Sequence, residues 1–141
     1  MADDVDAWLQ RFLREHGGVA GTVHRNHDDS LELLAAVNIP EPVRRVTAVV
    51  PRGKGMAGLA LERNAPVTTC NLQTDTSGDV RPGARAVAAQ AAAALPVHDA
   101  AGRVRAVVGI AFADERDLPE NVLAGLARAA ATLPELPARP A

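Results

Sequence analysis

The stretch Pro51 to Leu72, PRGKGMAGLALERNAPVTTCNL, holds three kinds of residue that could do chemistry. Gly53-x-Gly55-x-x-Gly58 has the spacing of a dinucleotide turn, in which exposed backbone amides and a helix N-terminus hold a pyrophosphate. Cys70 is the chain's single cysteine, a potential nucleophile or redox thiol. Further on, Gln90 offers an amide, and Arg81 and Arg85 offer guanidinium forks that suit a carboxylate or phosphate.

The nucleotide reading fails on context. A dinucleotide turn needs a buried parallel strand running straight into its glycines and a strand-helix-strand unit around them. Here Pro51 and Arg52 intervene, and the flanking segments look like antiparallel hairpins. Asp75 lies about twenty residues on, where a ribose-binding acid would stand, but one acid at a loose spacing does not rescue the motif. Lys54 is also in the wrong slot for a phosphate-binding loop, which places Lys after its last glycine. The residues read instead as a tight glycine turn opening a short helix, Met56 to Arg63.

The elements around this turn follow from periodicity. Val5, Trp8, Leu9, Phe12 and Leu13 repeat at helical spacing behind Asp3, Asp4 and Asp6, and Gly17-Gly18 stops them. Two extended segments joined by NHDDS predict a hairpin from Val19 to Ile39, after which Pro40 and Pro42 break the chain. A strand is expected over Pro66 to Leu72, with Thr68, Cys70 and Leu72 on one face. The alanine-rich run GARAVAAQAAAALPV favours helix by propensity, yet the hairpin that follows needs a strand. The reading adopted is a helical turn near Ala84 to Ala88 and a strand from Gln90 to His98, paired across AAGR with VRAVVGIAFAD. A last helix opens at Asp117-Leu118-Pro119-Glu120, buries Val122, Leu123, Leu126, Ala130 and Leu133, and stops at Pro134.

Composition narrows the function. The chain has 141 residues, a net charge of −2 and three aromatic residues, Trp8, Phe12 and Phe112, so it lacks both the basic footprint and the exposed rings that bind nucleic acid. One cysteine makes neither an internal disulfide nor a cysteine-based zinc cage. The acidic N-terminus does not read as a signal peptide, no apolar run would span a bilayer, and a cytoplasmic location is expected. His24 and His27 flank the first turn and read as solvated, and His16 as a charge at a helix C-terminus. Cys70 has two readings: a small buried hydrophobe, or a redox thiol or metal ligand near Asp75 or His98.

The order of these motifs resembles the GAF domain family. The resemblance runs over residues 3 to 133: an N-terminal helix, an antiparallel hairpin, Gly53-Lys54-Gly55-Met56-Ala57-Gly58 entering a helix, Pro66-Val67, a variable loop, Leu95-Pro96-Val97, Gly102, Val107-Val108-Gly109-Ile110 and a closing helix. It implies an α+β fold and a GAF-like domain over 1–133; the remaining PELPARPA, 134–141, reads by its composition as a flexible tail. A central antiparallel sheet should carry the N- and C-terminal helices on one face and a short helix and loop lid over a pocket on the other. The expected ligand-binding residues are Met56, Leu59, Cys70, Leu72, Asp75, Arg81, Arg85, Val87 and Gln90. Gln90 would be the central polar contact, Arg81 or Arg85 the anion clamp, and residues 71–87 the lid. The small side chains of Ala89 and Ala91 to Ala94 leave space at the sheet centre, to be filled by a close helix or by a ligand.

A GAF scaffold does not specify its ligand. Cyclic-nucleotide members carry an Asn-Lys pair that this chain lacks, and bilin members need an aromatic-lined cleft. Free methionine-(R)-sulfoxide reductases of the family need an attacking thiolate and a second, resolving thiol. Ala57 stands where their motif has cysteine, and residues 74–85, which hold their other catalytic cysteine, contain none. The expectation is therefore a small-molecule-binding sensory module without catalysis, metal or cofactor. Its expected partners are a small ligand, anionic if the arginines clamp it, a second copy bound through the terminal helices with Trp8 and Phe12 as anchors, and a separate effector protein. The alternatives are a thiol-dependent reductase or tailoring enzyme using the same pocket, and a pure dimerisation domain.

Overall fold

The structure is a computed structural model that describes residues 2–74, 77–80 and 89–136. In chain order the elements are α1 (Ala2–His16), β1 (Ala20–His27), β2 (Ser30–Val37), α2 (Glu41–Val46), β3 (Val49–Pro51), α3 (Gly55–Arg63), β4 (Val67–Thr69), β5 (Ala92–His98), β6 (Val104–Ala111) and α4 (Glu120–Ala130). The strands form one six-stranded sheet in the order β3-β2-β1-β6-β5-β4, with every neighbouring pair antiparallel. The fold class is α+β.

The two sheet faces bury different partners. On one, α1 and α4 cover Ala91, Ala93, Leu95 and Val97 of β5 and its entry, together with Ala106, Val108 and Ile110 of β6. Alanines 91 and 93 let the helices approach closely, and the aromatic mass sits here. Trp8 stacks on Phe12 with ring centroids 5.0 Å apart, and its indole Nε1–H donates to Thr132 Oγ1 at 3.1 Å, tying α1 to the end of α4. Trp8 and Phe12 are only 4% and 3% exposed. They are core residues of their own chain rather than the surface anchors expected from the sequence. On the other face α3 packs on Leu31, Val67, Ala94 and Val107. A bulge between Val23 and His24 in the β1–β2 pairing shifts the parity of β2, so that Leu31 serves the α3 face and Ala35 the helix face.

The glycine motif is a strand-to-helix turn. Gly53 and Gly55 have positive φ, and a Cβ on Gly58 would stand 2.5 Å from the Pro51 carbonyl oxygen. These requirements, rather than a pyrophosphate, account for the three glycines.

Several element boundaries differ from expectation. α2 was not anticipated: Pro42 lies in its first turn, where proline costs no hydrogen bond, and Glu41 and Arg44-Arg45 complement the helix dipole. β4 ends at Thr69 instead of Leu72, because Asn71 accepts from the Gln73 amide at 2.9 Å and turns the chain. Cys70 lies on the exposed side of the strand with Thr68 and is not a buried hydrophobe, whereas Leu72, beyond the turn, is buried. β5 begins at Ala92, with Gln90 at the bend before it, although the Gln90 backbone N–H still donates to the Phe112 carbonyl oxygen at 2.8 Å. In α4 the residue before the helix is Pro119, with no side-chain cap, and Val122 is 40% exposed. The helical turn expected at Ala84 to Ala88 lies outside the described residues.

Candidate functional site

Small residues facing α2 and α3 define the site. Strand pairing lays Ala20, Ala111 and Ala92 side by side across β1, β6 and β5, and the next rung is Thr22, Gly109 and Ala94. Side chains of this size cannot fill the space between the sheet and the elements above it. The result is a cavity of about 450 Å³.

Its walls come from three segments. Ile39, Pro42, Val43, Val46 and Thr47 line it from α2 and its flanks; Val50, Lys54, Gly55, Met56 and Ala57 from the glycine turn and the start of α3; and Leu72 from the segment after β4. No residue of α2 is fully buried. This wall therefore rests on few core contacts, which places it among the segments that open at low cost.

His24 supplies the polar feature that the sequence reading missed. It lines the cavity and is 3% exposed, and its Nε2 lies 2.9 Å from the Thr47 carbonyl oxygen at the end of α2. A carbonyl only accepts, so Nε2 carries the hydrogen. Burial pushes the His24 pKa below its ordinary 6.5, an effect that the hydrogen bond to Thr47 only partly opposes. The ring is neutral at pH 7, and Nδ1 presents a lone pair. Nδ1 is buried and has no hydrogen-bond partner among the described residues. The expectation that His24 is solvated is thus corrected. The signal was present in the two-residue period, which puts Ala20, Thr22 and His24 on one face, but turn proximity outweighed it.

A pH dependence follows. Below about pH 6.5 the unfolded chain binds a proton at His24 that the folded chain refuses, so stability falls as pH drops, by at most about 1.4 kcal/mol per pH unit, until the folded-state pKa is passed. Urea titrations at about pH 7.5 and 5.5 should show a larger loss for the wild type than for His24→Gln. Equal losses would mean that His24 exchanges its proton as freely folded as unfolded.

The residues named from the sequence fall in three groups. Met56 and Leu72 line the cavity. Leu59 packs beside the α3 core, Cys70 is exposed, and Gln90 is half-buried, its backbone carbonyl accepting from the Leu72 backbone N–H at 2.6 Å; none of the three is among the lining residues. Asp75, Arg81, Arg85 and Val87 lie outside the described residues. Of the expected lid, Leu72 and Val80 are buried, and Asp79 pairs with Arg63 through two hydrogen bonds of 3.0 and 3.2 Å. Among the described residues no group of three or more His, Cys, Asp or Glu side chains could hold a metal ion.

The sequence profile of the GAF domain matches residues 4–133. The chain belongs to the GAF domain family. No curated protein matches it. Solved structures agree with this fold. The GAF domain of the Acinetobacter phosphoenolpyruvate-protein phosphotransferase is 15% identical, with a TM-score of 0.72 over 94% of this chain and 78% of that one. The type II free methionine-R-sulfoxide reductase of Thermoplasma acidophilum is 16% identical, with a TM-score of 0.69 over 89% and 84%. A Staphylococcus aureus NreA protein mutated in its nitrate-binding site is 18% identical, with a TM-score of 0.65 over 82% and 89%. At such identities the likeness extends to the fold of the GAF domain and not to what it binds.

Proposed function

We propose that this GAF domain is a small-molecule-binding regulatory module without catalysis of its own, and that its ligand occupies the cavity between the sheet, α2 and the start of α3. The observation that carries this reading is the floor of alanine and glycine under an otherwise well-packed fold. Concave, mostly apolar spaces of this size with a few placed polar groups are where proteins hold small molecules. Asp75, Arg81, Arg85, Val87 and Gln90 remain part of the proposal, as contacts that the segment after Leu72 would bring to the ligand, with the arginines serving an anionic group. A cytoplasmic location is proposed with it; among the described residues no helix is long and apolar enough to cross a membrane.

The reductase reading has the solved structures of methionine sulfoxide reductases in its favour. Against it, Ala57 lines the cavity where the reductase motif has cysteine, and Cys70 is exposed and is not among the lining residues. Native mass spectrometry of freshly purified protein tests the binding reading, which expects a carried-over small molecule. Cys70→Ser should retain that molecule and change stability by no more than about 0.5 kcal/mol, as for other exposed positions. Loss of a sulfoxide-reducing activity in that variant would overturn the proposal in favour of the reductase.

A further inference from the structure

Taking the cavity of the proposed function as the ligand site, we infer that α2 is its regulatory wall, a strap tied at both ends whose middle is packed down by whatever fills the cavity. Occupancy is then read out as the order of α2. The ties are polar. On the N-terminal side Asn38, at a positive φ of 55°, donates from Nδ2 to the Val19 carbonyl oxygen at 2.7 Å. On the C-terminal side the Thr47 carbonyl accepts from His24 Nε2 at 2.9 Å, and that of Ala48 accepts from the Leu33 backbone N–H at 2.9 Å as the chain enters β3. Between them Arg44 donates to the Ala36 carbonyl oxygen of β2 at 2.9 Å, from an exposed position.

The middle of the strap lacks the packing that its sequence provides for. Val43 and Val46 stand three apart on one face of α2, with Ile39 just before the helix, and all three line the cavity. Ile39 and Val43 are only partly buried against the cluster that holds Ala20, Ala92 and Ala111, and Val46 is 60% exposed. A helix of six residues does not sustain itself in water, so α2 depends on what its apolar face touches. The opposite wall is different: α3 buries Gly58, Ala60 and Leu61 and is held by the core whether or not the cavity is filled. The apolar part of a ligand gives Val43 and Val46 partner atoms that they otherwise lack, and this holds whether or not the ligand also carries an anionic group. By reciprocity, whatever holds α2 down raises the affinity for that ligand by the same factor.

Hydrogen exchange resolved by residue with NMR, at neutral pH, tests the strap. The reporters are the Arg44 and Thr47 backbone amides, bonded to the Pro40 and Val43 carbonyls at 3.0 and 2.9 Å. The control is the Gly102 amide, bonded to the Asp99 carbonyl at 3.0 Å in the turn between β5 and β6, which does not line the cavity. Two probes share one naphthalene body, neutral 2-naphthol and anionic 2-naphthoate, with binding measured by calorimetry. At a free concentration of about ten times the dissociation constant, exchange at Arg44 and Thr47 should slow about tenfold, because lifting α2 then releases the probe, while Gly102 is unchanged. Ala111→Leu places side-chain carbons beneath Ile39 and Val43 with no ligand present, and should slow the same two amides by at least about threefold. Where a probe binds, its effect decides: binding without slower exchange at Arg44 and Thr47 overturns the role of α2 and leaves the cavity as a binding site. If neither probe binds, the proposed function fails, and Ala111→Leu decides for α2 on its own. Slower exchange in that variant keeps the response of α2 to filling of the cavity, and unchanged exchange overturns it.

Discussion

Ala111→Leu is expected to reduce binding in the cavity by at least about 100-fold, or about 2.7 kcal/mol, while leaving the fold intact. Ala111 is the middle of the rung that it forms with Ala20 and Ala92, and it lines the cavity floor. A leucine there projects its added carbons into the space that the ligand needs. Overpacking of a filled core costs about 1–3 kcal/mol, but here the added atoms enter open volume and gain apolar contact, so unfolding in urea should change little. The readout is titration with 2-naphthol, together with native mass spectrometry for any carried-over molecule. Unchanged binding would place the ligand elsewhere. Marked destabilisation would mean that the alanine floor is already covered by packed protein.

The second large effect is on stability. Trp8→Ala should cost about 3–5 kcal/mol, as other large aromatic truncations in cores do, which is a large part of the total for a domain of this size. The substitution removes the stacked contact with Phe12 and leaves Thr132 Oγ1 without the indole N–H. The loss should be independent of protein concentration, because Trp8 is buried by its own chain. A milder variant, Trp8→Phe, keeps the ring packing but not the N–H, and should fall between the two. A midpoint for Trp8→Ala that rises steeply with concentration would restore Trp8 as an interface residue. A homodimer through α1 and α4, signalling to a separate effector, remains proposed on the family resemblance alone. Removing α1 would not test it, since Val5 and Leu9 are fully buried core residues.

Apart from α2, the order of the elements and the family were legible in the sequence because they rest on local rules. The helical spacing of Val5, Trp8, Leu9, Phe12 and Leu13 specified α1, the polar turn at NHDDS specified the first hairpin, and the three glycines before Met56 specified a tight entry to α3. The small residues of β5 also announced space at the sheet centre. Which of the alanines face that space was not legible. Ala91 and Ala93 admit α1 and α4, whereas Ala92 lies over the cavity, and the difference depends on what docks on each face.

The polar half of the site needed the tertiary structure throughout. His24 is buried only because β1 lies in the middle of the sheet and the end of α2 folds back to place the Thr47 carbonyl 2.9 Å from its ring, a contact spanning 23 residues. Cys70 is exposed because it shares the outward side of β4 with Thr68 while Val67 and Thr69 face inward, and the Asn71 turn then brings Leu72, of the same parity, into the core. Periodicity and turn chemistry act over a few neighbouring residues, so the sequence by itself determined the order of the elements other than α2, though not their exact ends. Burial and hydrogen-bond partnership depend on cross-strand register and on how the elements dock, so only the tertiary structure decided which side chains face the cavity.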